Sequence, residues 1–299
     1  MFKLLVLALV FAITQGTLGL TTDERKYFKA RPYPEQNTGI QGTVSVDDDP
    51  RDAKVLILQS NGIPDHDTGT FPAPSNPNSI EVQSFNWRIP KNPTIQLETS
   101  CLPMGPIAMA TNGVAIYNPF TIGCCDAGTE ELDLFDMCTG HPSPSGQYHY
   151  HIFPKCLKDF GDFNSTIFGV AFDGFPIYGP EDEFGNELTN ADLDACNGRT
   201  DTYGNYRYHI TNEYPYFMGC YSGRVRKDVG NNVGSTTDCQ CLEPVDVCTE
   251  FGGGGGGGPP PHPGQIIIDD PGDGAGAISA NIAVLVMAAS TAIFRILYE

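Results

Sequence analysis

Positive charge is scarce in this chain. It carries 17 Lys and Arg against 36 Asp and Glu, a formal net charge of −19. A surface of that sign repels phosphate backbones, which excludes nucleic acid as a partner. It attracts divalent cations, basic proteins and cationic mineral faces. Charged residues of both signs make up only 18% of the chain and hydrophobic ones 40%, so wholesale disorder is also excluded. Several reaction signatures are missing as well. There is no pair of Cys-x-x-Cys knuckles, and Cys239-Gln-Cys241 alone does not make a zinc finger. No Gly-rich loop joins a strand to a helix, because Gly252 to Gly258 is a homopolymer. Gly-x-Ser-x-Gly and His-Glu-x-x-His are absent too. A hydrolase built on two carboxylates stays open, since carboxylate separation is a property of the fold.

What is present first sets the compartment. Met1-Phe2-Lys3 is a short basic start, and the apolar run Leu4 to Ile13 is too short to span a bilayer. Small residues follow, so residues 1–19 read as a signal peptide, cleaved after Gly19 or, as a second choice, after Gly16. Ten cysteines lie behind it, and an even count in that setting reads as a disulfide framework. Asn164-Ser-Thr is the one N-glycosylation sequon, which places Asn164 on a surface loop of a glycoprotein.

Residues 20–53 are polar and rich in Pro and Asp, and read as an extended lead-in. From Lys54 the pattern turns to β. Val55 to Leu58 is a short apolar run, Ile80-Glu-Val82-Gln alternates, and Phe85 and Trp87 stand two apart. The globular part is expected over 54–250. A Gly/Pro linker at 251–264 and an acidic spacer at 265–276 follow. Residues 277–299 are apolar enough for a C-terminal membrane tether, either a transmembrane anchor or the cleaved signal for a lipid anchor.

Within the globular part three blocks recur in the same order. Thr111-Asn112-Gly113 to Pro119 is echoed by Phe172-Asp173-Gly174 to Pro180. Asp136-Met-Cys138-Thr-Gly140-His141 is echoed by Asp194-Ala-Cys196-Asn-Gly198-Arg199. Gly146-Gln-Tyr148-His149-Tyr150-His151 is echoed by Gly204-Asn-Tyr206-Arg207-Tyr208-His209. Two copies of one supersecondary unit, at about 101–160 and 161–225, account for this. Asn112-Gly113 and Asp173-Gly174 suit the positive φ angles of type I′ turns, so each copy opens with a hairpin. The Asp-x-Cys-x-Gly block reads as a turn pinned by a disulfide, pairing Cys138 with Cys156 and Cys196 with Cys220. The third block is a strand, on which Tyr148 and Tyr150 share one face and His149 and His151 the other. The fold class is therefore mostly β: a disulfide-stapled antiparallel domain with two related hairpin-plus-strand repeats and few short helices.

Gly140-His141-Pro142, Tyr148-His149-Tyr150-His151, Asp173 to Pro180 and Tyr214-Pro215-Tyr216 through Gly219-Cys220 resemble the YHYH domain family, named for its tetrapeptide. The likeness covers Cys101 to Gly223 and extends upstream toward Lys54. It implies a secreted or surface protein. The family has no established activity, so the resemblance transfers no catalytic residue.

The histidine face is the candidate site. Neutral imidazoles at i and i+2 bind zinc or copper when a third ligand arrives from elsewhere. His141 is close in sequence, and His209 converges if the two copies pair about a pseudo-two-fold axis. Asp136, Asp173 and Asp194 are expected to orient the rings. The alternative is a purely structural layer of hydrogen-bonded histidines, favoured by Arg207 standing where the first copy has His149. Calcium has only the acidic clusters Asp47-Asp48-Asp49, Glu181-Asp182-Glu183 and Asp269-Asp270, none with EF-hand spacing. The functional expectation is a secreted or tethered acidic protein with a binding or matrix role. Its expected partners are extracellular matrix, calcium or a mineral face, or basic protein surfaces. A metal-dependent extracellular enzyme using His149 and His151 is the alternative.

Overall fold

The computed structural model describes residues 19–160 and 166–245. Residues 1–18 of the signal segment, Asn164, Cys248, Asp269-Asp270, the linker, the spacer and the C-terminal tether lie outside those residues, as does any reading built on them.

Two sheets make the domain. The smaller is antiparallel and runs β1 (Val44–Asp48), β2 (Val55–Ser60), β3 (Phe85–Pro90). The larger is built from β4 (Pro106–Ala110), β5 (Ala115–Tyr117), β6 (Gly140–Pro142), β7 (Tyr148–Tyr150), β8 (Ile167–Ala171), β9 (Pro176–Tyr178), β10 (Gly198–Thr200) and β11 (Tyr206–His209). Its spatial order is β10-β11-β9-β8-β4-β5-β7-β6. The described α-helix, α1 (Ala127–Glu130), is a single turn capped by Asp126, whose side chain accepts from the Gly128 N–H.

That order is a palindrome of the two copies. Each makes a hairpin (β4–β5, β8–β9), then a second hairpin (β6–β7, β10–β11) whose later strand lies parallel to the first hairpin. The copies meet at β4 and β8, antiparallel, with Met109 opposite Val170 near the pseudo-two-fold centre. Every residue of these two strands is buried. They sit mid-sheet with apolar cover on both faces, which is why they read as continuous apolar runs. The small sheet supplies part of that cover: the Trp87 ring lies 4.8 Å from Phe172, and both belong to one cluster with Leu56, Leu58 and Ile89. Each such fully buried aromatic or aliphatic side chain contributes roughly 2–3 kcal/mol.

Bonds Cys138–Cys156 and Cys196–Cys220 close loops in corresponding places in the two copies. Cys101–Cys239 and Cys124–Cys241 tie the segment after the second copy back onto the first. Loop-closure entropy assigns about 3 kcal/mol to each of the shorter pair.

The hairpin turns are in the expected places, but their type differs. Only Gly113 and Gly174 have positive φ there, at +87° and +96°. Gly113 N–H donates to the Ala110 carbonyl and Ala110 N–H to the Val114 carbonyl, and the second copy repeats both bonds. This is the three-residue loop, a type I turn followed by a left-handed glycine. Asn112 stays right-handed because its Oδ1 accepts from the Val114 N–H. The lead-in also differs from expectation. Leu20 and Phe28 are buried in the main cluster and β1 completes the small sheet, so the fold starts well before Lys54. Ile80 to Gln83 neither alternates in burial nor joins a ladder: Ile80 is buried, whereas Glu81 and Val82 are exposed.

Gly174 is the tightest of these turns, because a Cβ there would run into the Pro90 carbonyl oxygen. Gly185 has a similar φ of +81° with only the Glu181 carboxylate nearby, at 3.8 Å. Gly185→Ala should therefore cost about 1 kcal/mol of stability. Gly174→Ala should cost more than about 2 kcal/mol, because backbone must move. Thermal or urea unfolding of the two variants checks the order.

Candidate metal centre

Strands β6 and β7 build the site. His141 is paired directly across from His149, and His151 follows two residues on, so the three imidazoles occupy one face. Tyr148 and Tyr150 point to the other face. There the Tyr148 hydroxyl donates to Asp136 Oδ2 at 2.8 Å, and Tyr150 Oη meets Asn112 Nδ2 and His66 Nε2. Asp136, Asp173 and Asp194 thus bind tyrosine hydroxyls (Tyr148, Tyr208 and Tyr206) and not histidine rings. The alternation that sends the histidines outward sends the tyrosines toward these aspartate turns.

Both ring nitrogens of His149 and His151 are accounted for. His149 Nδ1 lies 2.9 Å from the Gln147 carbonyl and His151 Nδ1 2.6 Å from the Asn118 carbonyl. A carbonyl only accepts, so each neutral ring carries its proton on Nδ1 and turns a bare lone pair on Nε2 inward. Those two Nε2 atoms stand 3.1 Å apart. Neither can donate to the other. Glu131, from the turn that ends α1, adds a carboxylate: its Oε2 lies 3.3 Å from His141 Nε2 and 3.4 Å from His151 Nε2. Glu131 Oε2 and His141 Nε2 are both buried without a hydrogen-bond partner.

These contacts are not ion pairs. Burial, reinforced by the neighbouring His151 ring, drives His141 down to about 3. Burial alone drives His151 down to about 4 despite its carbonyl partner, and His149 lies well below its ordinary value. Burial pushes the Glu131 carboxyl up to about 7. Three neutral imidazoles beside a destabilised carboxylate form a site short of positive charge. Ligand atoms of His141, His149 and His151 all lie within 4.8 Å of one another. Two nitrogens on one tetrahedral zinc stand about 3.4 Å apart, close to the spacing seen. His141 is held differently: its Nδ1 faces the Asn76 amide nitrogen at 3.3 Å, so ligation through Nε2 would put a proton on Nδ1 and end that contact.

A cavity of about 470 Å³ opens over the three histidines and Glu131, walled by side chains such as Tyr117, Phe120, Leu134, Pro142 and Pro144. Tyr117 stacks on His149 at 3.7 Å, and Phe135 stands edge-on to His141 at 5.1 Å.

The second copy carries the same frame with different chemistry. Arg199 pairs across from Arg207, as His141 does from His149. His209 Nδ1 meets the Gly179 carbonyl at 2.8 Å, as His151 meets Asn118. The Arg207 guanidinium lies over Tyr178 as His149 stacks on Tyr117. Here the guanidiniums bind Glu183 and Asp201, each at 2.7 Å, and the Arg199 hydrogen bond holds Glu183 far below the usual carboxylate range. His209 therefore sits beside the arginine–carboxylate pairs of the second copy and does not join the other histidines: β11 and β7 are five strands apart in the sheet, about 24 Å. The pseudo-two-fold relates the two sites and does not merge them.

Other expected cation sites are filled from within the chain. Asp48 binds Arg25 and Lys91, Asp49 binds Arg88, and Asp182 caps its own turn through Phe184 and Asn186. His66 lies near Cys138 and Cys156, but those sulfurs form a disulfide and His66 Nε2 meets Tyr150 Oη. Sequence reasoning missed Glu131. It is one of many acids in a polar loop, and nothing in its spacing points to a site.

Residues 86–187 match the family model described as YHYH protein, the family whose motifs the sequence resembles. The match contains the whole first copy, with His141, His149, His151 and Glu131, and ends before β10 and β11. No curated protein and no solved structure matches the chain. The family has no established activity. The disulfides suit an extracellular fate. Among the described residues no helix is long and apolar enough to cross a membrane.

The raised Glu131 carboxyl sets a pH dependence for metal-free protein. The folded state holds this proton up to about pH 7 and the unfolded state releases it near its ordinary value. The contribution of this group to stability is therefore lost as pH rises through that window, opposite in sign to that of the three buried histidines. Glu131→Gln removes the loss. In chelator it should exceed wild type by roughly 1–3 kcal/mol at pH 8 and match it at pH 4, as read by urea unfolding.

Proposed function

We propose that this protein is an extracellular metal-binding domain whose ion, zinc or copper, sits on His141, His149 and His151 beside Glu131. The observation that carries the reading is the pair of inward Nε2 lone pairs on His149 and His151, 3.1 Å apart and each held by a carbonyl behind it. Two lone pairs at that distance repel unless a cation lies between them. A carbonyl behind each ring is the usual support of a histidine ligand, since it fixes the tautomer and raises ligand basicity. Three imidazoles suit zinc or copper, whereas calcium takes oxygen ligands.

The second copy supports the same conclusion from charge. In the same frame it places two guanidiniums on Glu183 and Asp201, so that half supplies its own cations. The first copy has imidazoles there and leaves Glu131 without a cation. Glu131 completes the ion's surroundings, directly or through a bound water. The cavity favours an ion with an exchangeable position over a sealed structural one. A matrix or mineral role through acidic clusters is less favoured, because Asp48, Asp49 and Glu183 are engaged by the chain's own Arg and Lys.

Elemental analysis of the purified protein tests the proposal. One equivalent of zinc or copper is expected. His149→Ala and His151→Ala should each weaken binding by on the order of a hundredfold. His141→Ala should weaken it less, because that ring gives up its Asn76 contact to ligate. His209→Ala should leave the stoichiometry unchanged. A folded protein that takes up neither metal, or one whose uptake survives His149→Ala and His151→Ala together, would sink the reading.

A further inference from the structure

The cavity above the histidines has walls that say what can enter it. Tyr117, Phe120, Leu134, Pro142 and Pro144 present apolar surface, and no Lys or Arg is among the lining residues. Four carboxamides also line it, and each already donates at least one N–H within the chain. Asn76 and Asn78 both donate to the Pro142 carbonyl, Asn118 to the Pro103 carbonyl and Gln240 to the Ile122 carbonyl. The Asn118 and Asn76 oxygens are used as well, by the Phe120 and Asn78 N–H groups. The cavity thus offers an anion no cationic side chain, and its Asn76 and Asn118 amides are fully engaged. The chain's charge of −19 repels anions further.

One wall is fixed covalently. Gln240 lies between Cys239 and Cys241, which are bonded to Cys101 and Cys124. Those bonds hold its side chain against the Ile122 loop at the rim. The volume of about 470 Å³ falls in the range that encloses a small organic molecule.

We propose that this cavity takes a neutral organic molecule with an apolar body, seated on the aromatic and proline walls and directing a single uncharged donor atom at the histidine cluster. Phosphate, sulfate and carboxylate compounds find no cationic side chain in the walls and bind less tightly than a neutral compound with the same apolar body. The inference rests on the metal reading for the donor contact and on the walls alone for the apolar body.

Phenylimidazole, imidazole and phenyl phosphate are suitable probes, titrated calorimetrically into the full chain loaded with zinc. Phenylimidazole should bind at least tenfold more tightly than imidazole, because the cavity buries its phenyl ring, and more tightly than phenyl phosphate. Leu134→Asp should remove the phenyl advantage while leaving zinc content unchanged. Equal affinity for imidazole and phenylimidazole, or binding of phenyl phosphate as tight as phenylimidazole, overturns the proposal even when zinc is bound. If the protein takes up no metal, the metal reading fails separately. The same comparison on the metal-free chain then decides the cavity, where tighter binding of phenylimidazole than imidazole still supports it and its absence overturns it.

Discussion

Removing three imidazoles from water obliges each to be neutral, and this constraint organises the centre of the first copy. A neutral ring has one proton to place. For His149 and His151 a backbone carbonyl claims it, which leaves the opposite nitrogen bare and facing inward. The arrangement holds because the other face of β7 is equally committed: Tyr148 and Tyr150 are buried and anchored to Asp136, Asn112 and His66. Slipping the strand by one residue would bury imidazoles in an apolar layer and push phenols into the cavity, so the register protects the site.

The duplication makes the molecule its own comparison. Both copies use the same turns, the same strand order and the same tyrosine–aspartate bonds beneath the sheet. They part in charge on the outer face. One half closes on arginine–carboxylate pairs and has its charges balanced. The other keeps histidines, a lone carboxylate and a cavity. A buried carboxylate without a cation is costly, and the contrast between guanidiniums at one position and imidazoles at its equivalent is what motivates the proposed cation. The two disulfides at Cys239 and Cys241 bring the far end of the domain back to wall that cavity, linking the covalent framework to the site.

Much of this was legible along the chain. The repeat identified the two copies, and the period of two on Tyr148 to His151 assigned the faces without reference to any neighbour. His141, His149 and His151 emerged as candidates because strand spacing is local. The turn type did not, because whether Asn112 or only Gly113 turns left-handed depends on the bond from Val114 N–H to the Asn112 side chain. Glu131 and the cavity walls did not either, since they come from loops whose position depends on packing against β6 and β7.

The alternation of side chains, the duplication and the two short-range disulfides, Cys138–Cys156 and Cys196–Cys220, were thus determined by the sequence by itself, because each depends on residues near one another or on simple recurrence. The tertiary structure alone decided that His209 stands apart from its counterparts, that Asp136 serves tyrosines, and that Glu131 meets the imidazoles. The reason is physical: strand order and loop placement follow from which apolar faces bury each other across the whole sheet, and no local pattern encodes that sum.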